Sequence, residues 1–308
     1  MAVQIKNVIV AGRNLRKPLA HLPLQATGNL GGPLVNHLVE AGFNVSGLTR
    51  QSGVSLLDGV KAVQSDYSPD SLVQAFEGQD AVIAAVGFGA LGDQKKLIDA
   101  AIKASVKVFL PGEFGSDTTN PDIKSALPFA GDKSCVVDYL KDHESQINWV
   151  GVISGPFFDM GLTDGFLGVD LKTKKAILYD GGDVPLTVST LGQVGRGVAA
   201  SLRNLDQTAN KFVYISSTTI TQNRLLEAAE KVTGKKFEVT HVSTAEIREK
   251  GYEKLKNHDY SGVLDLLQSI WFGKDKNLGD HTGLLWDEKL GLTPESADDV
   301  LHSVVASF

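Results

Sequence analysis

The sequence predicts an α/β protein whose core is a doubly wound parallel sheet, followed by a smaller and interleaved C-terminal lobe. Through the first half of the chain, short apolar segments alternate with amphipathic helical segments. The apolar segments are apolar on both faces, which is typical of parallel strands covered by helices on each side. A glycine-rich segment follows the first apolar segment, where such folds turn from the first strand into the first helix.

The predicted elements follow one another in strand and helix order. The first strand is a run of valine, isoleucine and alanine, and the later strands are similar runs bounded by polar residues or glycine. Between them, apolar residues recur every three or four positions, which indicates helices with one buried face. The predicted strands are residues 8–11, 44–48, 60–64, 81–86, 106–110 and 149–153, and the predicted helices are residues 31–41, 71–76, 93–104 and 133–141.

The chain is predicted to consist of two lobes. Residues 1–156 form the sheet domain and residues 157–308 form a second lobe, from which residues 211–215 are expected to return to the main sheet as a strand. The last helix is expected to begin with Thr293 as its N-cap and Pro294 at its first position. The two lobes therefore interleave.

Composition and charge restrict the class of function. The chain has 308 residues, a formal net charge of −6, a pI near 5.7 and one cysteine. The acidic balance argues against a nucleic-acid surface, and no apolar run approaches the ~20 residues of a membrane span. The N-terminus lacks a secretory signal, and one cysteine cannot form an internal disulfide, so we expect a cytoplasmic protein that acts on a small molecule. The oligomeric state is left open, with a homodimer as one option.

The glycine-rich turn after the first strand is interrupted by an insert at residues 13–25. Gly12 ends the strand, and a helix-starting run that begins at Ala26 appears only after the insert. Joined directly, the two pieces read G-A-T-G-N-L-G, in which three glycines permit a tight turn, a close backbone approach to a pyrophosphate and close helix packing. Ordinary turn chemistry is the alternative. We expect the dinucleotide-binding residues of this turn to be Gly12, Thr27, Gly28, Asn29, Leu30 and Gly31.

A second glycine-rich run, residues 87–92, is a contiguous G-x-G-x-x-G directly after the strand predicted at residues 81–86. It follows the fourth strand, whereas the dinucleotide fingerprint belongs to the first strand and first helix. We interpret it as a loop beside the cofactor, to which Val86 and Gly87 contribute contacts. The alternative is that this run is itself the main phosphate loop.

Arg50 ends the second strand, where an enzyme that binds a ribose 2′-hydroxyl has an acidic residue. A guanidinium there, beside Thr49 and Ser52, suits a 2′-phosphate through charge-assisted hydrogen bonds, so the sequence favours NADP over NAD. A solvated arginine at a strand end is the alternative. Asp66, after the third strand, is expected near the adenine end of the cofactor, although a simple turn explains it equally well.

Lys133 is the candidate catalytic residue. It lies at the start of the predicted helix after the fifth strand, downstream of Glu113, although helix N-termini repel cations. A lysine beside a nicotinamide could give a proton to a substrate oxygen; as a base it would need its usual pKa of ~10.4 lowered by the helix end and by burial. From the residues alone, a solvated surface lysine remains the stronger interpretation.

Four features together resemble a known family: the turn, the Thr49-Arg50 pair, the segment FLPGEFGSD and the downstream lysine. They are similar to the NmrA-like branch of atypical short-chain dehydrogenases, in particular the isoflavone reductase and phenylcoumaran benzylic ether reductase group and its fungal relatives. The resemblance covers essentially the whole chain. It implies a Rossmann fold, NADPH as hydride donor, Lys133 as catalytic acid or base, and a hydrophobic, often aromatic substrate in a pocket around Phe157, Phe158 and Met160.

The insert at residues 13–25 departs from that family. It carries three arginine or lysine residues, no acidic residue and two prolines, so it does not favour a helix. A longer surface loop costs little closure entropy, but the loss of two pyrophosphate contacts of about 1.5–3 kcal/mol each would weaken cofactor binding on the order of a hundredfold to ten-thousandfold. An outward loop that leaves the turn intact, or an unspliced segment of the gene model, are the alternatives.

The sequence thus predicts an NADPH-dependent reductase of a conjugated alkene, a carbonyl or a benzylic ether, with Lys133 managing the proton. An NmrA-like regulator that senses NADP without turnover, and a protein inactivated by the disrupted turn, are the alternatives. Tyr252 and Lys256 match the spacing of the short-chain dehydrogenase pair but lie in a charged C-terminal helix, and Cys135 is expected to be a small buried residue. No histidine spacing typical of a zinc site is present.

Overall fold

The largest element of the structure is a parallel sheet. The computed structural model describes residues 4–12, 30–53 and 56–308. Its strands are β1 (Asn7–Gly12), β2 (Asn44–Thr49), β3 (Val60–Gln64), β4 (Ala81–Ala85), β5 (Val108–Leu110), β6 (Asn148–Ile153), β7 (Val169–Asp170), β8 (Lys175–Tyr179), β9 (Leu186–Val188), β10 (Lys211–Tyr214), β11 (Thr218–Ile220) and β12 (Glu238–Val242). Within the described residues, seven strands form the main sheet in the order β10-β6-β5-β4-β1-β2-β3, and every neighbouring pair is parallel.

Helices cover the sheet and build the second lobe. The α-helices are α1 (Gly31–Glu40), α2 (Pro69–Phe76), α3 (Gln94–Lys103), α4 (Pro121–Ala126), α5 (Ala130–Asp142), α6 (Phe158–Asp164), α7 (Leu191–Arg203), α8 (Leu205–Thr208), α9 (Gln222–Thr233), α10 (Thr244–Lys256), α11 (Gly262–Trp271), α12 (Asp287–Leu290) and α13 (Ala297–Ala306). Short 3-10 helices occupy Phe88–Asp93 and Thr282–Leu284. None of the helices in the described ranges combines the length and the apolarity that crossing a bilayer requires.

The two faces of the sheet bury two separate apolar cores. Successive residues of β1 point to opposite faces, so that Val8 and Val10 join the core under α1 and α7, while Ile9 and Ala11 join the core under α2, α3 and α5. Burial on both faces explains why the central strands β1, β4 and β5 are apolar throughout rather than alternating. The predicted doubly wound parallel sheet is confirmed.

The second lobe has a third core and returns to the main sheet. Helices α6, α9, α11 and α13 bury an apolar cluster together with α10, the short strands β7–β9 and, from the first half of the chain, Ile123, Leu127 and Ala130. Strand β10 pairs in parallel with β6, from Lys211 opposite Val150 to Tyr214 opposite Ile153. The Phe212 ring lies over Gly151, where an added Cβ would come within 2.6 Å of the ring. The edge of the sheet is therefore completed by residues that follow the first part of the second lobe in sequence.

The expected start of the last helix is wrong. Helix α13 begins at Ala297 with Ser296 at the N-cap, rather than at Pro294 after Thr293. The reason is that Glu295 is used in tertiary contacts: its N–H donates to the Ser217 carbonyl at 2.9 Å. Its carboxylate also accepts hydrogen bonds from Thr190 at 2.6 Å and Arg196 at 2.7 Å, and from Ser217. These bonds hold the preceding segment against α7 and delay the helix.

Gly155 brings three segments together just after β6. Its N–H donates to the carbonyl of Gly115 at 3.1 Å. Its φ is +62°, and an added Cβ would lie 2.1 Å from the carbonyl oxygen of Thr187 in β9. Only glycine accepts both the left-handed backbone and this approach of main chain to main chain.

We expect Gly155→Ala to destabilise the protein by about 2–4 kcal/mol, because the methyl group displaces β9 and the backbone conformation becomes strained. Urea unfolding measures this change. Gly131→Ala is the matched control: the glycine lies in α5 with nothing within 4 Å of an added Cβ, so alanine should leave stability unchanged or raise it slightly. Equal stability of the two variants would contradict the role given to Gly155.

Candidate active site

The candidate site lies at the carboxyl edge of the main sheet. Because its strands are parallel, the segments after β1, β2, β4, β5 and β6 emerge at the same edge. These segments carry most of the residues singled out in the sequence. The structure therefore brings Gly12, Arg50, Val86, Gly87 and the loop after β5 to one side of the molecule.

The described part of the first turn suits an anionic group. Strand β1 ends at Gly12, where an added Cβ would lie 2.7 Å from the Ala85 carbonyl oxygen, so β1 and β4 end in close contact. Helix α1 begins at Gly31 after Leu30, and among the described residues no side chain caps its first turn and no acidic residue lies in it. The free amides and the dipole of such a helix end favour phosphate. Thr27, Gly28, Asn29 and the insert at residues 13–25 lie outside the described residues.

The second glycine-rich run forms a 3-10 helix, Phe88–Asp93, rather than a strand-to-helix phosphate turn. Val86 and Gly87 precede it and are half-buried. The buried side chain of Gln94 joins this run to the loop after β5, since its Oε1 accepts the Gly112 N–H at 2.8 Å. The run therefore flanks the end of β4 next to β1, and its contact with a cofactor stays a prediction.

Arg50 and Asp66 lie at the ends of β2 and β3. Arg50 is exposed, and its guanidinium lies over the Tyr67 ring, 4.4 Å from the ring centroid. The Asp66 carboxylate accepts the Ser68 N–H at 2.8 Å, and this hydrogen bonding lowers the pKa of Asp66 below its usual value. Asp66 thus stabilises the turn that precedes α2.

Lys133 is buried, with 8% of its surface exposed, in the first turn of α5. Its Nζ donates to the main-chain carbonyl of Glu113 at 2.5 Å. Burial lowers the pKa of Lys133 from its usual value, and the Glu113 carboxylate opposes this shift. The interpretation of Lys133 as a solvated surface lysine is wrong, because the first turn of α5 packs against the loop after β5.

Glu113 is the buried partner of Lys133. Its side chain is 1% exposed, and its carboxylate accepts the Thr118 hydroxyl at 3.0 Å. Burial raises the pKa of Glu113, whereas the charge of Lys133 lowers it. The loop that carries Glu113 is held at both ends, by Gln94 at Gly112 and by Gly155 at Gly115. An acid and a base of opposite charge therefore share one low-dielectric site.

A second polar group at this edge was missed in the sequence. The Tyr214 hydroxyl, at the end of β10, donates to the Asp117 carboxylate at 2.8 Å, and burial raises the pKa of Tyr214. The ring of His281, which is 7% exposed, packs edge-on against the Tyr214 ring with centroids 5.4 Å apart. No local motif indicates this group, because its members, Asp117, Tyr214 and His281, come from three separate segments of the chain. Only the aspartate after the E-F-G-S motif was a visible signal.

The residues expected to line the substrate pocket separate in the structure. Phe157 and Met160, at the start of α6, are half-buried. Phe158 is fully buried in the core of the second lobe, so its ring has no exposed surface with which to line a pocket. The expectation for Phe158 is wrong, because Phe158, Gly161 and Leu162 lie on the one face of α6 that packs into the core.

Two minor expectations concern the remaining reactive side chains. Tyr252 is exposed, and its hydroxyl donates to the Ala126 carbonyl at 3.1 Å, which agrees with its exclusion from the site. Cys135 is exposed, so the expectation of a buried cysteine is wrong. It lies on the outer face of α5, whose inner face is formed by Lys133, Val136 and Val137.

A family model described as the NmrA-like family matches residues 23–258. The match begins inside the insert at residues 13–25, so β1 and most of that insert lie outside it.

Similar proteins include fungal and plant reductases. The chain is 34% identical over 290 residues to the oxidoreductase aprR of Aspergillus flavus, which covers 91% of this chain and 96% of that relative. It is 30% identical over 240 residues to the isoflavone reductase homolog IRL of Zea mays, covering 72% of this chain and 76% of that relative. A solved structure described as AtPrR2 with NADP+ and (+)pinoresinol has a TM-score of 0.75 at 21% identity, covering 99% of this chain and 100% of that chain. This last likeness shows a shared fold.

We expect the stability of the protein to rise with pH above neutrality in a way that depends on Lys133. The pKa of this lysine is lowered in the folded state, so the unfolded chain binds more protons between the folded pKa and the unfolded value of ~10.4. Stability should therefore increase across that window and be lost as the pH falls through the folded pKa.

Urea unfolding at pH 7 and pH 9.5 measures this effect. Lys133→Met should abolish the increase, so that the wild type gains stability relative to the variant as the pH rises. Lys141→Met is the matched control, because Lys141 lies on the exposed part of the same helix and pairs with Asp138 at 3.7 Å. Parallel curves for the wild type and Lys133→Met would show that Lys133 is not perturbed by burial.

Proposed function

The chain belongs to the NmrA-like family, and from that premise we propose that it is an NADPH-dependent reductase of a hydrophobic, often aromatic small molecule. One observation carries the proposal: a lysine buried at the carboxyl edge of the sheet, with its Nζ fixed by a main-chain carbonyl and a buried carboxylate beside it. Burying a cation is costly in free energy unless the cation is paired and hydrogen-bonded, and buried ionisable groups with perturbed pKa values cluster at functional sites. The relative complexed with NADP+ and pinoresinol supports both the cofactor and an aromatic substrate.

Residues at the edge of the sheet are proposed to hold NADPH. Gly12 and the amides at the start of α1, from Gly31, would hold the pyrophosphate. Thr27, Gly28 and Asn29, which lie outside the described residues, are proposed to contribute further contacts. Arg50 would bind the 2′-phosphate, and Val86 and Gly87 would contact the nicotinamide half. NADPH, when bound there, supplies the hydride that reduces the substrate carbon.

Lys133 is proposed to give the proton that accompanies the hydride. An ammonium group has three N–H donors, and the Glu113 carbonyl engages one of them at 2.5 Å. The remaining donors can stabilise and then protonate the oxygen on which negative charge develops. Burial lowers the pKa of Lys133, so the ammonium is a stronger acid than a surface lysine, and the neutral amine left behind is tolerated in the buried site.

Glu113 is proposed to oppose the loss of the Lys133 proton that burial favours. Its carboxylate favours the charged form of Lys133, so the lysine keeps its proton until the oxygen of the substrate takes it. The Thr118 hydroxyl donates to the carboxylate and stabilises its ionised form. The pair therefore keeps a transferable proton in a site that would otherwise expel the charge.

We expect Lys133→Ala to reduce kcat by about a hundredfold or more, which is the range of general acid catalysis, with NADPH affinity within about twofold of the wild type. Stopped-flow NADPH oxidation and calorimetric titration measure the two quantities. Lys141→Ala, on the exposed part of the same helix, should change neither. A wild-type protein that binds NADP+ but oxidises no NADPH with a panel of enones, aromatic carbonyls and benzylic ethers would instead support the regulator that senses NADP.

We also expect NADPH to bind more tightly than NADH, and deletion of residues 13–25 to tighten NADPH binding further. Direct connection of Gly12 to Ala26 restores a continuous glycine-rich turn; regaining two contacts of about 1.5 kcal/mol each would raise affinity on the order of a hundredfold. Calorimetric titration of both coenzymes into both proteins tests this. Equal or weaker affinity of the deletion variant would refute an interfering insert.

A further inference from the structure

Arg50 has an aromatic partner that the sequence motif does not include. The Arg50 guanidinium stacks on the Tyr67 ring, 4.4 Å from the centroid. The two residues come from different strand ends, Arg50 directly after β2 and Tyr67 in the turn after β3. The ring of Tyr67 therefore restrains the Arg50 guanidinium.

The turn holds Tyr67 in an uncommon conformation. Its φ is +67°, a left-handed value that is rare for an aromatic residue. Its N–H donates to Ser65 Oγ at 3.0 Å, and the Ser65 N–H donates to the carbonyl of Thr49 at 2.9 Å. The turn is thus tied to the residue immediately before Arg50. These bonds specify a backbone that places one aromatic ring beside one guanidinium.

The two residues of this contact differ in burial. Tyr67 is half-buried and packs against the core formed by α2, α3 and α5. Arg50, whose guanidinium lies over the ring, is exposed. A guanidinium that stacks on an aromatic face keeps its in-plane N–H donors free for hydrogen bonds. The contact with the ring therefore restricts the Arg50 side chain at the edge where the cofactor is proposed to bind.

We propose that Tyr67 is a positioning residue for coenzyme selection, which fixes the Arg50 guanidinium so that its N–H fork can bind the 2′-phosphate of NADP. This inference rests on the proposed use of NADP at this edge. It assigns the choice between NADP and NAD to a pair of residues rather than to Arg50 alone. An arginine without the ring would have to lose its side-chain freedom on binding, which weakens each contact that it makes.

Calorimetric titration with NADP+ and with NAD+ tests the proposal through the ratio of the two affinities. Tyr67→Phe keeps the ring and should preserve the wild-type ratio. Tyr67→Asn removes the ring, and asparagine accepts a positive φ. The ratio for Tyr67→Asn should fall by about two- to fivefold, which corresponds to ~0.5–1 kcal/mol for an exposed cation–π contact. Tyr67→Gly also fits this backbone and is the second ring-free variant, with the same expected fall.

A double-mutant cycle and a remote control separate positioning from general effects. In an Arg50→Gln background, Tyr67→Asn should not change the ratio further, because the group that it positions is absent. Phe308→Leu removes a different stack, Lys172 over Phe308 at 5.0 Å, and should leave both affinities unchanged.

Three results would overturn the proposal. The first is an unchanged ratio in both ring-free variants, and the second is an equal loss of NADP+ and NAD+ affinity, which would indicate support of the shared adenosine. The third is a wild-type protein that does not prefer NADP+; this result overturns the proposed coenzyme as well, whereas the first two leave it standing.

Discussion

The parallel direction of the strands in the central sheet is the constraint on which the rest of the structure depends. It brings the ends of β1, β2, β4, β5 and β6 to one edge, so that side chains distant in sequence meet there. The loop after β5 is held against this edge from both sides, by the Gln94 side chain at Gly112 and by the Gly155 N–H at Gly115. Between these two attachments, the Glu113 carbonyl has a fixed position and can engage Lys133. A buried ammonium group is thereby oriented by main chain rather than by a mobile side chain.

Most of the fold was predictable because its signal is local. Each segment of the first half carries its own signal, either an apolar run rich in β-branched residues or a helical periodicity. The burial of β1 on both faces agrees with the covered parallel sheet that these signals predict. The family resemblance that the E-F-G segment and the downstream lysine suggested is also confirmed. The start of α13 was not predictable, because the bonds of Glu295 to Thr190 and Arg196 are tertiary and override a favourable capping sequence.

The site was only partly predictable for the same reason. Lys133 could be identified from its motif, but its burial and its partner could not, because they depend on how α5 packs on the loop after β5. The Tyr67 ring lay beyond sequence reasoning, since nothing local indicates that a residue after β3 stacks on one after β2. Phe158 was misassigned because apolar residues that line a pocket and those that fill a core have the same composition. Thr27, Gly28 and Asn29 stay predictions.

The return of the chain to the main sheet at β10 has a consequence for biosynthesis. Until the ribosome has released Lys211–Tyr214, β6 is an outer strand whose main-chain groups on one side lack hydrogen-bond partners. Strand β6 itself carries the apolar side chains of Trp149 and Val152. A nascent chain paused in this interval exposes a template for β-pairing with neighbouring polypeptides, and truncation before β10 should favour inclusion bodies over a soluble N-terminal half. Because of this order of strands, the main sheet is complete only after β10 has been synthesised.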